Sequence, residues 1–250
     1  MKTNWDYTNL AHSYDNRPDY SESAVLKALD ATECAPKSVV ADIGAGTGKL
    51  TKILLQKQLI VCAVEPNNNM RAYGIKNTLG STVTWSEGSG EKTGLCAGTV
   101  RAAFFGSSFN VVDQVASLNE TARILTAGGW FSCMWNHRDT KDSLQKTIED
   151  IIHSFIPDYD YGLRRQDPSS VIEQSRHFKP TMSIEERFLV SMKKSQIVAA
   201  WKSHNTLFRQ SNGKFNEIIE VISQELTQEE YLVPYFTRIW CARLINKKES

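Results

Sequence analysis

Asp42-Ile-Gly44-Ala45-Gly46-Thr-Gly48 is the segment of this 250-residue chain whose residue types and spacing are best suited to hold a ligand. Three glycines at alternate positions separate an apolar run from a helix-like run. Lacking Cβ atoms, they permit positive φ in a tight turn and let a ligand lie against the backbone. The helix start beyond them offers free N–H groups. Glu65 follows Gly44 by 21 residues, at the end of the next apolar run. A carboxylate there can accept hydrogen bonds from both hydroxyls of an adenosine ribose. The triplet alone also fits a plain tight turn; its pairing with Glu65 points to a ligand. A dinucleotide loop, G-x-G-x-x-G, seats pyrophosphate on the helix N-terminus. Here the third glycine comes one residue early and Asp42 precedes the first by two.

Holding that loop requires strands and helices in alternation, and the first 135 residues supply them. Ser38–Ile43, Leu59–Val64, Thr82–Trp85, Val100–Phe105 and Trp130–Trp135 read as five strands. Gly48–Lys57 reads as the first crossover helix, with Leu50, Ile53 and Leu54 at helical spacing. Asn67–Lys76 reads as the second, opened by Pro66 and an asparagine cap. Asp113–Leu125 reads as a third, closed by a Gly128-Gly129 turn. From about residue 141 the segments are more charged, and Pro157, Pro168 and Pro180 suggest helices over one end of the sheet. Ile184–Met192 and Phe236–Ile245 then read as a late antiparallel pair. The expectation is an α/β fold: a Rossmann-like, doubly wound, seven-stranded, mostly parallel sheet with an antiparallel terminal strand. Within one domain of residues 1–250, residues 1–36 form an N-terminal helical cap and residues 37–137 the ligand-binding core. Residues 138–250 supply the substrate-side helices and the last two strands.

Composition narrows the function classes. Twenty-nine basic and 28 acidic residues leave a formal net charge of +1, without the basic face of a nucleic-acid binder. The five cysteines (Cys34, Cys62, Cys96, Cys133 and Cys241) are scattered and never form C-x-x-C, which fits a reducing compartment and excludes a zinc ribbon. The five histidines lack metal-ligand spacing, so no metal is expected. Without an apolar N-terminal leader or a membrane-length stretch, the expectation is a cytoplasmic protein with no membrane and no nucleic-acid partner. Oligomeric state is left open by the sequence.

Several further segments, taken with the loop, resemble class I S-adenosylmethionine-dependent methyltransferases of the type 11 group, near the trans-aconitate methyltransferase branch. These are Tyr14-Asp-Asn-Arg17-Pro18-Asp-Tyr20, Val64-Glu65-Pro66 followed by Met70, Gly88-Ser89-Gly90-Glu91, Glu120–Gly129, Trp135-Asn136 and Tyr235-Phe-Thr237-Arg-Ile-Trp240. The resemblance implies methyl transfer from S-adenosylmethionine to a small-molecule acceptor, leaving S-adenosylhomocysteine. It places Tyr14 and Arg17 over the cofactor, and Gly44, Ala45, Gly46 and Gly48 beside its methionine part. It also places Glu65 and Pro66 at the ribose, Met70, Gly90 and Glu91 around the adenine, and Ser107 at the end of the fourth strand.

The sequence departs from that branch around the fourth strand. Arg101 stands where the branch carries Asp, Asn110 where it carries His, and Val111 where it carries Trp. A histidine there could serve as general base; Asn110 can only orient or hydrogen-bond a substrate. A carboxylate acceptor needs no deprotonation at neutral pH, so O-methylation of a carboxylate by proximity is favoured. Asn110 and His137, the latter at the carboxyl edge of the fifth strand, are the catalytic candidates. Tyr159 and Tyr161 read as a loop or a lid, and Arg164 and Arg165 as solvated charges or an anchor for an acidic substrate.

Three other readings compete. A dehydrogenase would need the later glycine. A nucleic-acid methyltransferase would need an Asn/Asp-Pro-Pro-aromatic or Pro-Cys motif where this chain reads Ser107-Ser108-Phe109-Asn110. A non-catalytic cofactor-binding subunit would lack an acceptor pocket beside the cofactor.

Overall fold

Residues 18–161 and 166–245 are described by the computed structural model. The apolar runs rich in branched residues become β1 (Val39–Ile43), β2 (Ile60–Val64), β3 (Val83–Ser86), β4 (Val100–Gly106) and β5 (Leu125–Arg138). All neighbours among these five pair in parallel. β6 (Phe178–Lys193) and β7 (Glu230–Leu244) complete one seven-stranded sheet in the order β3-β2-β1-β4-β5-β7-β6. β7 runs antiparallel to both β5 and β6. The late pair read from sequence is therefore present, with the single reversed strand inserted between two others.

Parallel strands demand crossovers, and helices supply them on both faces. α1 (Glu22–Ala31) and α2 (Lys49–Gln56) cover one face, where Ala28, Leu50 and Leu54 pack with Val40, Phe104 and Met134. α4 (Gln114–Ile124) covers the other, with Leu118 and Ile124 against Ala41, Phe105 and Phe131. Phe104 and Phe105, adjacent in sequence, enter opposite cores because successive strand side chains alternate faces. α6 (Ser169–Gln174) joins the second core through Ile172, and Phe178 extends its ring cluster, 5.6 Å from Phe131. A third apolar cluster gathers α5 (Ser143–Phe155), α7 (Lys194–Lys202), α8 (Asn205–Gln210) and α9 (Phe215–Glu225) around Ile148, Ile152, Trp201, Leu207 and Ile222. These helices close over Val233 and Tyr235 of β7, beyond the carboxyl end of β5.

α3 (Asn68–Asn77) begins as read from sequence: the Asn67 side chain accepts from the amides of Asn69 and Met70, 3.0 Å each. Gly74 lets this helix lie on Trp85 of β3. A Cβ on Gly74 would fall 2.1 Å from the indole, whose Nε1 donates to Thr78 Oγ1 at 3.0 Å. Gly74→Ala must displace that ring, so we expect a loss of about 2–3 kcal/mol in urea unfolding. A loss below about 0.5 kcal/mol would show that the indole repacks freely.

Two elements differ from the sequence reading. Gly128 and Gly129 do not close α4, which ends at Ile124 and passes directly into β5. Instead they sit in an irregular stretch where pairing jumps from Val100↔Leu125 to Ala102↔Trp130, with Gly128 at φ 65°. Pro180 belongs not to a helical region but to β6, which begins at Phe178. β6 is an edge strand, where a missing N–H is tolerated, and its register shifts between Pro180 and Met182.

Among the described residues no helix is long and apolar enough to cross a membrane. No group of three or more His, Cys, Asp or Glu is placed there to hold a metal. All five cysteines are free thiols.

Candidate cofactor and acceptor site

The glycine loop follows β1 and is pinned to β2: the amides of Gly44 and Ala45 both donate to Val64 O, at 2.8 and 3.1 Å. Gly44 has φ +70°, and a Cβ there would lie 2.5 Å from Ser108 Cβ. The segment after β4 thus packs directly on the loop, and Ser108 Oγ donates to Ile43 O. Ser107, itself at φ 59°, donates its amide to Met134 O at 2.8 Å. This brings the ends of β1, β4 and β5 together at the carboxyl edge of the sheet, where open α/β folds bind ligands.

Two adjoining cavities open at that edge. The smaller, about 80 Å³, is lined by Glu65, Pro66, Asn67 and Met70 on one side and by Ser89, Gly90, Ser108, Val111 and Val112 on the other. The larger, about 140 Å³, runs from Asp42, Ala45 and Thr47 across Asn136, His137 and Arg138 to Gln145, Tyr161, Trp201 and His204. Gly44, Gly46, Gly106 and Ser107 line both, so the cavities share a floor.

Glu65 is the charged group of the smaller cavity. Its Oε2 accepts from Gly46 N at 2.9 Å and its Oε1 from Asn67 N at 2.8 Å, while Arg71 donates to its main-chain oxygen at 2.6 Å. Burial pushes its carboxyl above the usual carboxylate range, although the Asn67 and Gly46 amides oppose the rise. Each carboxylate oxygen keeps a second lone pair, so a vicinal diol suits the site.

Asp42 is the buried acid of the larger cavity. Thr51 Oγ1 donates to its Oδ2 at 2.6 Å, and Oδ1 has no hydrogen-bond partner among the described residues. Burial raises its carboxyl to about 7; the Thr51 hydrogen bond opposes the rise and the Glu65 charge adds to it.

Residues 18–21 fasten across the larger cavity. Asn136 Nδ2 donates to the carbonyls of Pro18 (3.2 Å) and Asp19 (2.8 Å), and its Oδ1 accepts from Thr237 Oγ1 at 2.6 Å. Lys49 pairs with Asp19 at 2.7 Å, and Tyr20 Oη lies 2.9 Å from Ser107 Oγ.

Of the residues singled out from sequence, Gly44, Ala45, Gly46, Glu65, Pro66, Met70, Gly90, Ser107 and His137 line one or both cavities. Gly48, Glu91 and Asn110 line neither. Gly48 is the N-cap of α2 at φ 86°, packed toward Trp85. Glu91 accepts from Asp113 N at 2.8 Å, ahead of α4. Asn110 Oδ1 accepts from Trp135 Nε1 at 2.8 Å, so the position expected to face the acceptor instead fixes a core indole. Arg101 ties Gly128 O (3.1 Å) to Glu33 at the opposite end of β4. Tyr14, Arg17, Arg164 and Arg165 lie outside the described residues. Tyr161 lines the larger cavity; Tyr159 meets its ring edge to face, with centroids 4.9 Å apart. Arg138 and Gln145, inside the segment of residues 137–165 expected near the acceptor, and Trp201 and His204, outside it, are cavity residues that sequence reasoning did not name individually as site residues. Only Arg138 carried a signal, its place beside His137 at the end of a parallel strand.

Residues 41–133 match the model of the methyltransferase domain family designated Methyltransf_11. An uncharacterized methyltransferase of Mycobacterium tuberculosis is 34% identical over 136 residues, 54% of this chain and 54% of that protein, and one of Mycobacterium bovis matches equally. The chain thus spans about half the length of the curated relatives it matches. Among solved structures, a protein provisionally designated a type II methyltransferase from Anaeromyxobacter dehalogenans superposes with a TM-score of 0.63. It is 18% identical, with 91% of this chain and 97% of that one covered. Geranyl diphosphate C-methyltransferase from Streptomyces coelicolor, in complex with Mg2+, geranyl diphosphate and S-adenosyl-L-homocysteine, gives a TM-score of 0.51 at 15% identity, covering 90% and 81%. Family match and fold agree: residues 41–133 match a methyltransferase domain, and the chain has the fold of solved methyltransferases.

Proposed function

We propose that this protein transfers a methyl group from S-adenosylmethionine to an oxygen of a small-molecule acceptor, with a carboxylate favoured. The observation that carries the reading is the shared floor of the two cavities: a carboxylate suited to a diol, Glu65, lies on one side and a second, larger chamber on the other. A cofactor spanning Gly44, Gly46 and Ser107 would turn its reactive end toward that chamber. The chamber supports the catalytic reading over a non-catalytic cofactor-binding subunit, which needs no room for an acceptor.

The residues fit such a cofactor. Glu65 would accept from the ribose hydroxyls, Met70, Pro66 and Val112 would supply apolar contact to the adenine, and the unpaired Oδ1 of Asp42 suits an ammonium group. The cofactor supplies an electrophilic methyl on a sulfonium; the protein's part is to hold the acceptor in line and exclude water. A carboxylate acceptor is already ionised at neutral pH, which agrees with a chamber whose expected base position, Asn110, is engaged elsewhere. His137 lines the chamber and is nine-tenths buried, so it stands as the proton acceptor for a hydroxyl substrate. The acceptor is taken as a small molecule, with neither nucleic acid nor membrane as partner, and the near-neutral net charge supports this.

Calorimetric titration with S-adenosylhomocysteine, and NADH as control, tests the reading. Micromolar binding of the first and none of the second is expected. Binding of NADH alone would replace the reading with a dehydrogenase.

A further inference from the structure

Arg138 ends β5 on the wall of the larger cavity, and its guanidinium carbon lies over the ring of Trp201 in α7, 3.9 Å from the centroid. No carboxylate among the described residues pairs with it. The adjacent acid, Asp139, is held by Arg187 of β6 at 2.9 Å, and that hydrogen bond keeps the Asp139 carboxyl below its usual range. A guanidinium that no described carboxylate neutralises, held over a ring on a cavity wall, offers a fork suited to a planar anion. The surroundings are ring-lined: Tyr235 stands opposite Arg138 in the β5–β7 register, and Tyr161 and His204 join Trp201 on the same cavity. Trp201 is 2% exposed, and its Nε1 has no hydrogen-bond partner among the described residues.

We propose that Arg138, held over Trp201, is the specificity-determining anchor for an anionic aromatic acceptor. Its fork would pair with a carboxylate or phosphate oxygen while the acceptor's ring packs among Tyr161, Trp201 and Tyr235. The proposal rests on reading the larger cavity as the acceptor chamber of a methyltransferase. It deepens that reading by naming what the chamber selects: negative charge joined to a flat ring. The methyl-accepting oxygen can be that of the anchored anion or another on the same ring, and Arg138 serves both by fixing orientation.

The test is calorimetric binding of benzoate, phenyl phosphate, cyclohexanecarboxylate and neutral benzamide to the full chain, with and without saturating S-adenosylhomocysteine. Wild type, Arg138→Gln and Arg138→Lys are compared. Wild type is expected to bind benzoate or phenyl phosphate at least about tenfold more tightly than benzamide, and the stronger of the two identifies the anion. It should also prefer benzoate to cyclohexanecarboxylate. Arg138→Gln should lose about tenfold or more for the anions and nothing for benzamide, and Arg138→Lys should fall between, because an ammonium pairs without the fork. S-adenosylhomocysteine affinity within about twofold of wild type certifies that the variants are folded. Equal binding of benzoate and benzamide by wild type, or benzoate binding by Arg138→Gln within about twofold of wild type, overturns the assignment. Failure of wild type to bind S-adenosylhomocysteine overturns the methyltransferase reading instead, a result read independently in the same titrations.

Discussion

Glu65→Ala is expected to weaken S-adenosylhomocysteine binding by about a hundredfold or more. Two effects add. Each hydrogen bond from a ligand hydroxyl to an ionised carboxylate is worth about 1.5–3 kcal/mol, and the site offers both oxygens of one buried side chain. The same oxygens hold Gly46 N and Asn67 N, so their loss also loosens the glycine loop and the entry to α3. Glu65→Gln separates the two contributions. One amide oxygen can keep a loop contact, but the NH2 group would face a donor, so the affinity should fall between wild type and alanine. Calorimetry on all three proteins reads this directly. Affinity within twofold of wild type for Glu65→Ala would remove Glu65 from the ribose and leave it a purely architectural tie between β1 and β2.

Asp42→Asn is expected to stabilise the ligand-free protein relative to wild type as pH rises. The folded-state carboxyl titrates at about 7, above its ordinary value of 3.8. Between those values the folded protein holds a proton that the unfolded chain has released, so wild-type stability falls as pH climbs from about 4 to about 7 and levels off beyond. Asparagine does not titrate. From pH 5 to pH 8 the variant should therefore gain on wild type by about 2–3 kcal/mol, read as denaturant midpoints at the two pH values. A gain of zero would mean that Asp42 is no less comfortable ionised inside the fold than outside it. The variant should also bind S-adenosylhomocysteine more weakly, because it lacks the charge that suits an ammonium. The chain thus keeps a buried acid that destabilises its empty form at neutral pH, as sites built for a ligand commonly do.

The legible part of the site was the part built by local sequence. Gly44, Gly46, Glu65, Pro66 and Met70 each end or follow a strand within one β-α-β unit, so a short-range pattern fixes where they meet. Asn110 shows the limit of the same reasoning. Its place in the chain suggested an acceptor contact, yet Trp135, 25 residues on, takes its side-chain oxygen. Glu91 went the same way, drawn to the amide that precedes α4.

For the fold, alternation of apolar runs and helical spacing determined the five parallel strands, their crossover helices and the late antiparallel pair. Each strand is buried through its own side chains, and each parallel step requires a helix to return the chain. What only tertiary structure decided is where β7 inserts and what the chain after residue 138 builds. Placing β7 between β5 and β6 sets Tyr235 beside Arg138, and packing α7 over that edge sets Trp201 beneath the guanidinium. Those partners lie 97 and 63 residues from Arg138 in sequence. No period or motif links residues so far apart; burial of the third apolar cluster brings them together. The glycine loop and the smaller cavity are thus written in local sequence, and the larger cavity in the packing of distant segments.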